Sequence, residues 1–288
     1  MESKSDSYAG SLVASLLSRM RRFLFHVLST GPIPNHIAFI LDGNRRYAKK
    51  QKLKEGMGHR AGFLALMSLM KYCYELGVKY VTIYAFSIDN FKRQPEEVQG
   101  LMDLMLEKIE GLLKEESIVN QYGVRVYFIG NLKLLNAPVR DAAAKAMKAT
   151  ANNDKSILLI CVAYTSTDEI VHAAQEAIEE KWGETQESSK ASGAQNSEIC
   201  QEKHEGHRTI KLADIERHIY MGLAPDPDIL VRTSGESRLS NFLLWQTSTC
   251  LLYSPKALWP EIGLRHIVWA VLNFQRVHPY LEKRRKQV

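Results

Sequence analysis

The sequence predicts an α/β fold in which a mainly parallel sheet is covered by helices on both faces. Short β-branched or apolar runs alternate with longer stretches of helical periodicity from about residue 36 to 278. The chain has 288 residues and is 45% hydrophobic, enough for one sizeable core. A single polar stretch interrupts the alternation, so the chain reads as one domain with an insertion.

The first element is an amphipathic helix within residues 1–30. Leu12, Val13, Leu16, Leu17, Met20, Phe23, Leu24, Val27 and Leu28 recur at helical spacing, with Arg19, Arg21, Arg22 and His26 interleaved. Basic residues interrupt what would be the apolar region of a signal peptide, and no run reaches the length of a membrane span. Such a helix can lie on a membrane or partner surface, or pack on its own domain.

Strands are expected at 36–41, 78–86, 124–129, 156–163, 228–231 and 251–253. Helices are expected at 60–76, 95–118, 138–150, 166–182, 211–220 and 264–277. Residues 183–208 are rich in Ser, Glu, Gln and Gly with almost nothing apolar to bury, and read as a disordered surface insertion. His204 and His207 inside it read as exposed tract histidines. Cys73, Cys161, Cys200 and Cys250 lack CxxC spacing and read as reduced thiols. Lys and Arg exceed Asp and Glu by 38 to 32, a net charge of +6, which suits phosphate-bearing ligands or anionic surfaces without choosing between them.

Ligands of parallel sheets sit beyond the carboxyl ends of the strands, so the residues following each strand carry the chemistry. After the first strand come Asp42, Gly43, Asn44, Arg45 and Arg46. Glycine lets backbone amides approach an anion, and arginine's rigid fork of donors matches diphosphate oxygens. A carboxylate among them suits Mg²⁺, which takes one or two carboxylates plus substrate phosphates. The stretch from Gly56 to Gly62 has the wrong spacing and position for a dinucleotide fingerprint, but His59 and Arg60 open a helix and can hold phosphate. After the second strand come Ser87, Asn90 and Phe91, a polar wall with one apolar contact; Glu96 and Glu97 read as ordinary first-turn helix residues. After the fifth strand, Arg232 and Arg238 flank a Ser/Gly turn that leads to Ser240, a cationic cradle fit for a second diphosphate. Asp226 and Asp228 precede that strand and read as a turn at the opposite sheet edge. Two anion-binding loops and one carboxylate fit a pair of diphosphates.

The motifs DGNRRYAKK at 42–50, GHRAG at 58–62, YAFSIDN at 84–90, RTSGESRLSNFLLW at 232–245 and LWP at 258–260 resemble the cis-prenyltransferase family over roughly residues 31–278. The likeness is nearest to the eukaryotic dehydrodolichyl diphosphate synthases, with plant and rubber-type relatives included. It implies a six-stranded, mainly parallel sheet flanked by helices, a hydrophobic tunnel, and a catalytic domain spanning 31–288. It further implies Mg²⁺-dependent condensation of isopentenyl diphosphate onto an allylic diphosphate such as farnesyl diphosphate, giving the polyprenyl diphosphate used for dolichol. By motif, Asp42 would hold Mg²⁺ and assist departure of the allylic diphosphate. Gly43, Asn44, Arg45, Arg46 and His59 would surround that diphosphate. Asn90, with Ser87 and Phe91, would serve catalysis and homoallylic placement, while Arg232, Arg238 and Ser240 would bind isopentenyl diphosphate.

Three positions depart from the self-sufficient bacterial pattern. Leu251 stands where a carboxylate is usual, Glu55 where a basic residue is usual, and the ending LEKRRKQV lacks Arg-x-Gly. The resemblance then implies a heteromer with an accessory subunit related to the Nogo-B receptor, held peripherally at the cytosolic face of the endoplasmic reticulum. Retention of Asp42 and both loop arginines argues against a non-catalytic scaffold of the same fold. The absence of adjacent aspartates argues against a trans-type prenyltransferase. Arginines gathered at strand ends, without an exposed aromatic platform, argue against nucleic-acid binding.

Overall fold

The computed structural model describes residues 2–53, 57–114, 117–191 and 209–287. Six strands form one sheet: β1 (His36–Ile40), β2 (Tyr80–Ser87), β3 (Val124–Ile129), β4 (Ser156–Tyr164), β5 (Ile229–Arg232) and β6 (Leu251–Tyr253). Their spatial order is β3-β4-β2-β1-β5-β6, and every pairing is parallel. The helices are α1 (Glu2–Leu28), α2 (Asn44–Lys50), α3 (Met57–Leu76), α4 (Pro95–Leu112), α5 (Ile118–Tyr122), α6 (Ala137–Ala149), α7 (Ser166–Ala191), α8 (Leu212–His218) and α9 (Leu264–Arg285).

Side-chain alternation along β1 divides the core in two. Ile37 and Phe39 join a large apolar cluster with residues of α3, α4, α6 and α9, while Ala38 and Ile40 face a smaller one with Ala173 of α7, Met221 and Phe242. All five β1 residues are buried, as expected of a central parallel strand. From β1 the sheet grows first through β2, β3 and β4 on one side, then through β5 and β6 on the other. The order therefore reverses at β1/β5, where open parallel sheets hold their ligands. Ile40 is in register with Arg232 there, so the segments leaving the two strands start side by side.

The structure corrects the sequence reading in several places. The helix expected over 95–118 ends at Leu112, because Ser117 accepts from the Asn120 N–H and caps a separate helix, α5. Residues 183–191, read as the start of a disordered insertion, continue α7 to Ala191; the Glu, Gln, Lys and Ala of this stretch are helix-favouring residues. The rest of that insertion, with His204 and His207, and Glu55 all lie outside the described residues. Asp228 is more than part of a turn. It is buried, accepts from the Asn35 and His36 backbone N–H groups at 2.6 and 3.1 Å, and pairs with Arg285 of α9 at 2.8 Å.

On α1, Phe25 and Leu28 are buried against the domain, and Arg21 pairs with Glu75 of α3 at 2.7 Å. Leu16, Leu17, Met20, Phe23 and Val27 form an exposed stripe on the other side, with Phe23 at 71% exposure. One side of the helix therefore packs on its own domain, and one apolar side is uncovered. The side chains of Leu12 and Val13 lie outside the described residues.

Candidate active site

β1 ends at Ile40, and the chain turns through Leu41, Asp42 and Gly43 into α2. Gly43 has φ 114°, and a Cβ there would sit 2.6 Å from the Ser234 hydroxyl and 2.9 Å from the Trp259 nitrogen, so only glycine fits. The loop after β5 locks onto this turn. The Thr233 and Ser234 hydroxyls donate to the Asp42 carbonyl at 2.6 and 2.7 Å, and the Asp42 N–H donates to the Thr233 hydroxyl at 2.8 Å. The Trp259 N–H reaches the same carbonyl at 2.9 Å.

The side chains complete the junction. Arg232 donates from one terminal nitrogen to the Asp42 carboxylate at 2.8 Å, and from the other to the Arg238 carbonyl and Ser240 hydroxyl, both at 2.6 Å. Arg46 reaches the other Asp42 oxygen at 3.2 Å and Glu236 at 3.6 Å, and Glu236 also pairs with Arg238. Burial alone would push the Asp42 carboxyl up, but the hydrogen bonds and charges of Arg232 and Arg46 outweigh it and hold the group below the usual aspartate range. Asp42 is thus ionised across neutral pH.

The arginine loop is conformationally unusual. Ser234, Ser240, Asn241 and Leu243 all have positive φ, a strained state for side-chain-bearing residues that surrounding bonds must maintain. The start of α7 supplies those bonds: the Ser166 N–H donates to the Asn241 carbonyl at 2.8 Å, and the Ser166 hydroxyl accepts from the Leu244 N–H at 2.9 Å. Beneath them Glu169 is fully buried, accepting from the Tyr164 hydroxyl, the Gln246 amide and the Met221 N–H at 2.6, 3.0 and 2.9 Å.

Two cavities meet at this junction. A polar one of about 380 Å³ is lined by Leu41 to Arg46, Arg93, Glu236 and Arg238. An apolar one of about 190 Å³ runs between the sheet, α3 and α4, lined among others by Phe63, Leu66, Ala85, Phe86, Met105 and Leu158. Leu41 and Asn44 line both. The Asn44 side-chain amide oxygen, Oδ1, is buried without a hydrogen-bond partner. The α4 residues Leu101, Met105 and Ile109, whose helical spacing alone fits core or channel equally, line the apolar cavity.

Of the residues singled out in the sequence, Asp42, Gly43, Asn44, Arg45, Arg46 and Arg238 surround the polar cavity, with Arg232 and Ser240 bonded behind it. Ser87, Asn90 and Phe91 are engaged locally instead. The Asn90 side chain accepts from the Ser87 N–H at 3.0 Å, the Ser87 hydroxyl accepts from the Asp89 N–H, and Phe91 packs edge-on against Phe86. His59 falls in the first turn of α3, and its side chain lies outside the described residues. Arg93, Thr233, Ser234 and Trp259 were not singled out as site residues, though all but Arg93 belong to the quoted motifs. Among the described residues no three His, Cys, Asp or Glu gather as a metal cluster. The donor set fits an ion that takes one protein carboxylate and completes its shell with phosphate oxygens.

A family model described as undecaprenyl diphosphate synthase matches residues 40–281. The chain is 60% identical to dehydrodolichyl diphosphate synthase CPT3 of Solanum lycopersicum, covering 100% of both chains. It is 60% identical to rubber cis-polyprenyltransferase HRT2 of Hevea brasiliensis over 93% of each. It is also 42% identical to the human dehydrodolichyl diphosphate synthase complex subunit DHDDS, over 93% of this chain and 75% of that protein. Among solved structures, lavandulyl diphosphate synthase from Lavandula x intermedia, in complex with dimethylallyl diphosphate, superposes with a TM-score of 0.68 at 28% identity, covering 84% of this chain and 95% of that one.

Proposed function

The chain belongs to the cis-prenyltransferase family, and on that premise we propose that its two cavities hold the charged and apolar parts of an allylic diphosphate undergoing elongation by isopentenyl diphosphate. The observation that carries this reading is the junction itself. A cavity ringed by arginines shares Leu41 and Asn44 with an apolar cavity between sheet and helices. A ligand with an anionic head and a hydrocarbon tail matches both halves.

In this reading Arg45, Arg46 and the turn at Gly43 grip the allylic diphosphate, and the α2 N-terminus favours its charge. Breaking the allylic carbon–oxygen bond leaves the electron pair on the diphosphate. The isopentenyl double bond then attacks the allylic carbon, and proton loss gives the cis double bond. The fixed guanidiniums stabilise the charge that grows on the leaving group. Asp42 would hold Mg²⁺, which when bound neutralises diphosphate charge. Arg238, with Ser240 held by Arg232, serves the isopentenyl diphosphate.

Dehydrodolichyl-type chain elongation is the reading of choice, and the rubber-type relative supports a second, longer-product reading. The name of the human relative as a complex subunit supports a heteromer, with a Nogo-B-receptor-like accessory partner. Among the described residues no helix is long and apolar enough to cross a membrane. The exposed α1 stripe, flanked by Arg19 and Arg22, fits peripheral contact with the cytosolic face of the endoplasmic reticulum.

The test is to express the chain with and without such a subunit, supply farnesyl diphosphate and labelled isopentenyl diphosphate, and size the products. Dolichol-length chains made efficiently only by the pair are expected. Full activity of the chain alone would refute the heteromer, and rubber-length chains would select the second reading.

A further inference from the structure

Glu97 lies in the first turn of α4, where a carboxylate is ordinary. Its contacts are less ordinary. One oxygen lies 2.8 Å from a terminal nitrogen of Arg93 and 3.8 Å from one of Arg45. These arginines come from different strand ends, Arg45 after β1 and Arg93 after β2, and both line the polar cavity. Among the described residues, every ion pair of either one ends on Glu97. Arg45 is otherwise 77% exposed. Without Glu97, two guanidiniums would stand uncompensated at the rim of a cavity already bearing Arg46 and Arg238.

We propose that Glu97 is a placeholder carboxylate: it holds Arg45 and Arg93 together in the substrate-free protein and yields them to a diphosphate when substrate binds. Exposed ion pairs of this kind are weak, so an anion carrying several charges displaces the single carboxylate at little cost. A diphosphate offers each arginine two oxygens in the fork geometry, which one Glu97 oxygen shared between two arginines does not. Glu97 is then a positioning residue that acts through Arg45 and Arg93, and it lowers ground-state affinity for the diphosphate. The inference rests on the diphosphate reading of the polar cavity.

The neighbour Glu96 provides the control. It is exposed, makes no ion pair among the described residues, and carries the same charge one position away. Binding of inorganic pyrophosphate to the full chain, with magnesium present, is measured by calorimetry for wild type, Glu97→Gln and Glu96→Gln. The expected result is a Kd for Glu97→Gln lower by about threefold to fivefold, the range open to an exposed pair, with Glu96→Gln changing much less. The KM for the allylic diphosphate should fall in parallel without a rise in kcat, because the gain is in ground-state binding. Equal effects of the two variants would reduce the matter to net charge and overturn the proposal. Unchanged or weaker pyrophosphate binding by Glu97→Gln, with normal wild-type binding, would also overturn it. Failure of the wild-type chain to bind pyrophosphate at all would instead remove the diphosphate reading, and this inference with it.

Discussion

The Asp42 carboxylate accepts a 2.8 Å hydrogen bond from Arg232, a residue 190 positions later in the chain. The contact exists because β1 and β5 are adjacent where the strand order reverses, and because Ile40 is in register with Arg232. It holds the proposed metal-binding carboxylate and the root of the arginine loop in one piece. Arg232 is 6% exposed, and its Nε has no partner. Loss of the Asp42 charge therefore leaves a buried guanidinium undercompensated as well as removing the group expected to hold magnesium.

Asp42→Asn should accordingly lower kcat by roughly 10²–10³-fold, the scale of losing one well-aimed electrostatic group. It should also cost about 1–3 kcal/mol of stability through Arg232. Steady-state kinetics and urea denaturation read the two effects separately. A variant that turns over normally would remove Asp42 from the chemistry.

Gly62 marks a close approach of α3 to the site. A Cβ there would sit 2.5 Å from the Asn44 side-chain oxygen and 2.6 Å from the Trp259 indole nitrogen, and Trp259 is buried. Gly62→Ala should cost about 1–3 kcal/mol, as overpacking does, and raise the KM for the allylic substrate by displacing Asn44. Gly111→Ala in α4, where an added Cβ meets nothing within 4 Å, should instead stabilise by about 0.5–1 kcal/mol. Equal effects at the two glycines would show that helix propensity, and not the approach to Asn44, governs Gly62.

What could be read from the sequence follows from how local each signal is. Val124–Ile129 and Ser156–Tyr164 were legible because β-branched and apolar runs identify a buried parallel strand wherever it lies. Asp42 and Arg232 were each legible as residues leaving a strand, but their bond was not, because it needs the strand order. Glu97 looked like an ordinary first-turn carboxylate for the same reason: its partner Arg45 is distant in sequence. The Asn90–Ser87 bond is local, yet the motif suggested catalysis there and the cap geometry is what the fold displays. Glu169 gave no signal, since a lone Glu in a helix's first turn looks exposed until Tyr164, Met221 and Gln246 converge on it.

Glu169 also gives a pH-dependent prediction. Burial pushes its carboxyl above the usual glutamate value of 4.5, although the bonds from Tyr164, Gln246 and Met221 pull the other way. A carboxyl raised in the folded state contributes stability that is fully present below its unfolded pKa and is lost as pH rises through the folded pKa. The stability of wild type relative to Glu169→Gln should therefore decline as pH rises from about 4.5. Glu169→Ala should cost about 1–3 kcal/mol or more at any pH, because buried donors are left unpaired. A wild-type advantage that grows with pH in denaturation midpoints would contradict the assigned direction.

The apolar cavity makes the final prediction. Ala85 belongs to a strand in the middle of the sheet, yet it is exposed, because the pairing with β4 skips it: Tyr84 opposes Cys161 and Phe86 opposes Val162. This bulge turns two successive side chains, Ala85 and Phe86, into the same cavity, a re-aiming that bulges beside active sites commonly perform. Ala85 is thus a small side chain at a point where a larger one would take up cavity space. Ala85→Leu should fill part of that space and add apolar contacts without unsatisfied polar groups, so the fold should survive. If the cavity carries the growing chain, early condensations should proceed and the longest products should be lost, which sizing of labelled products will read. An unchanged length distribution in a folded, active variant would mean that the hydrocarbon leaves by another route.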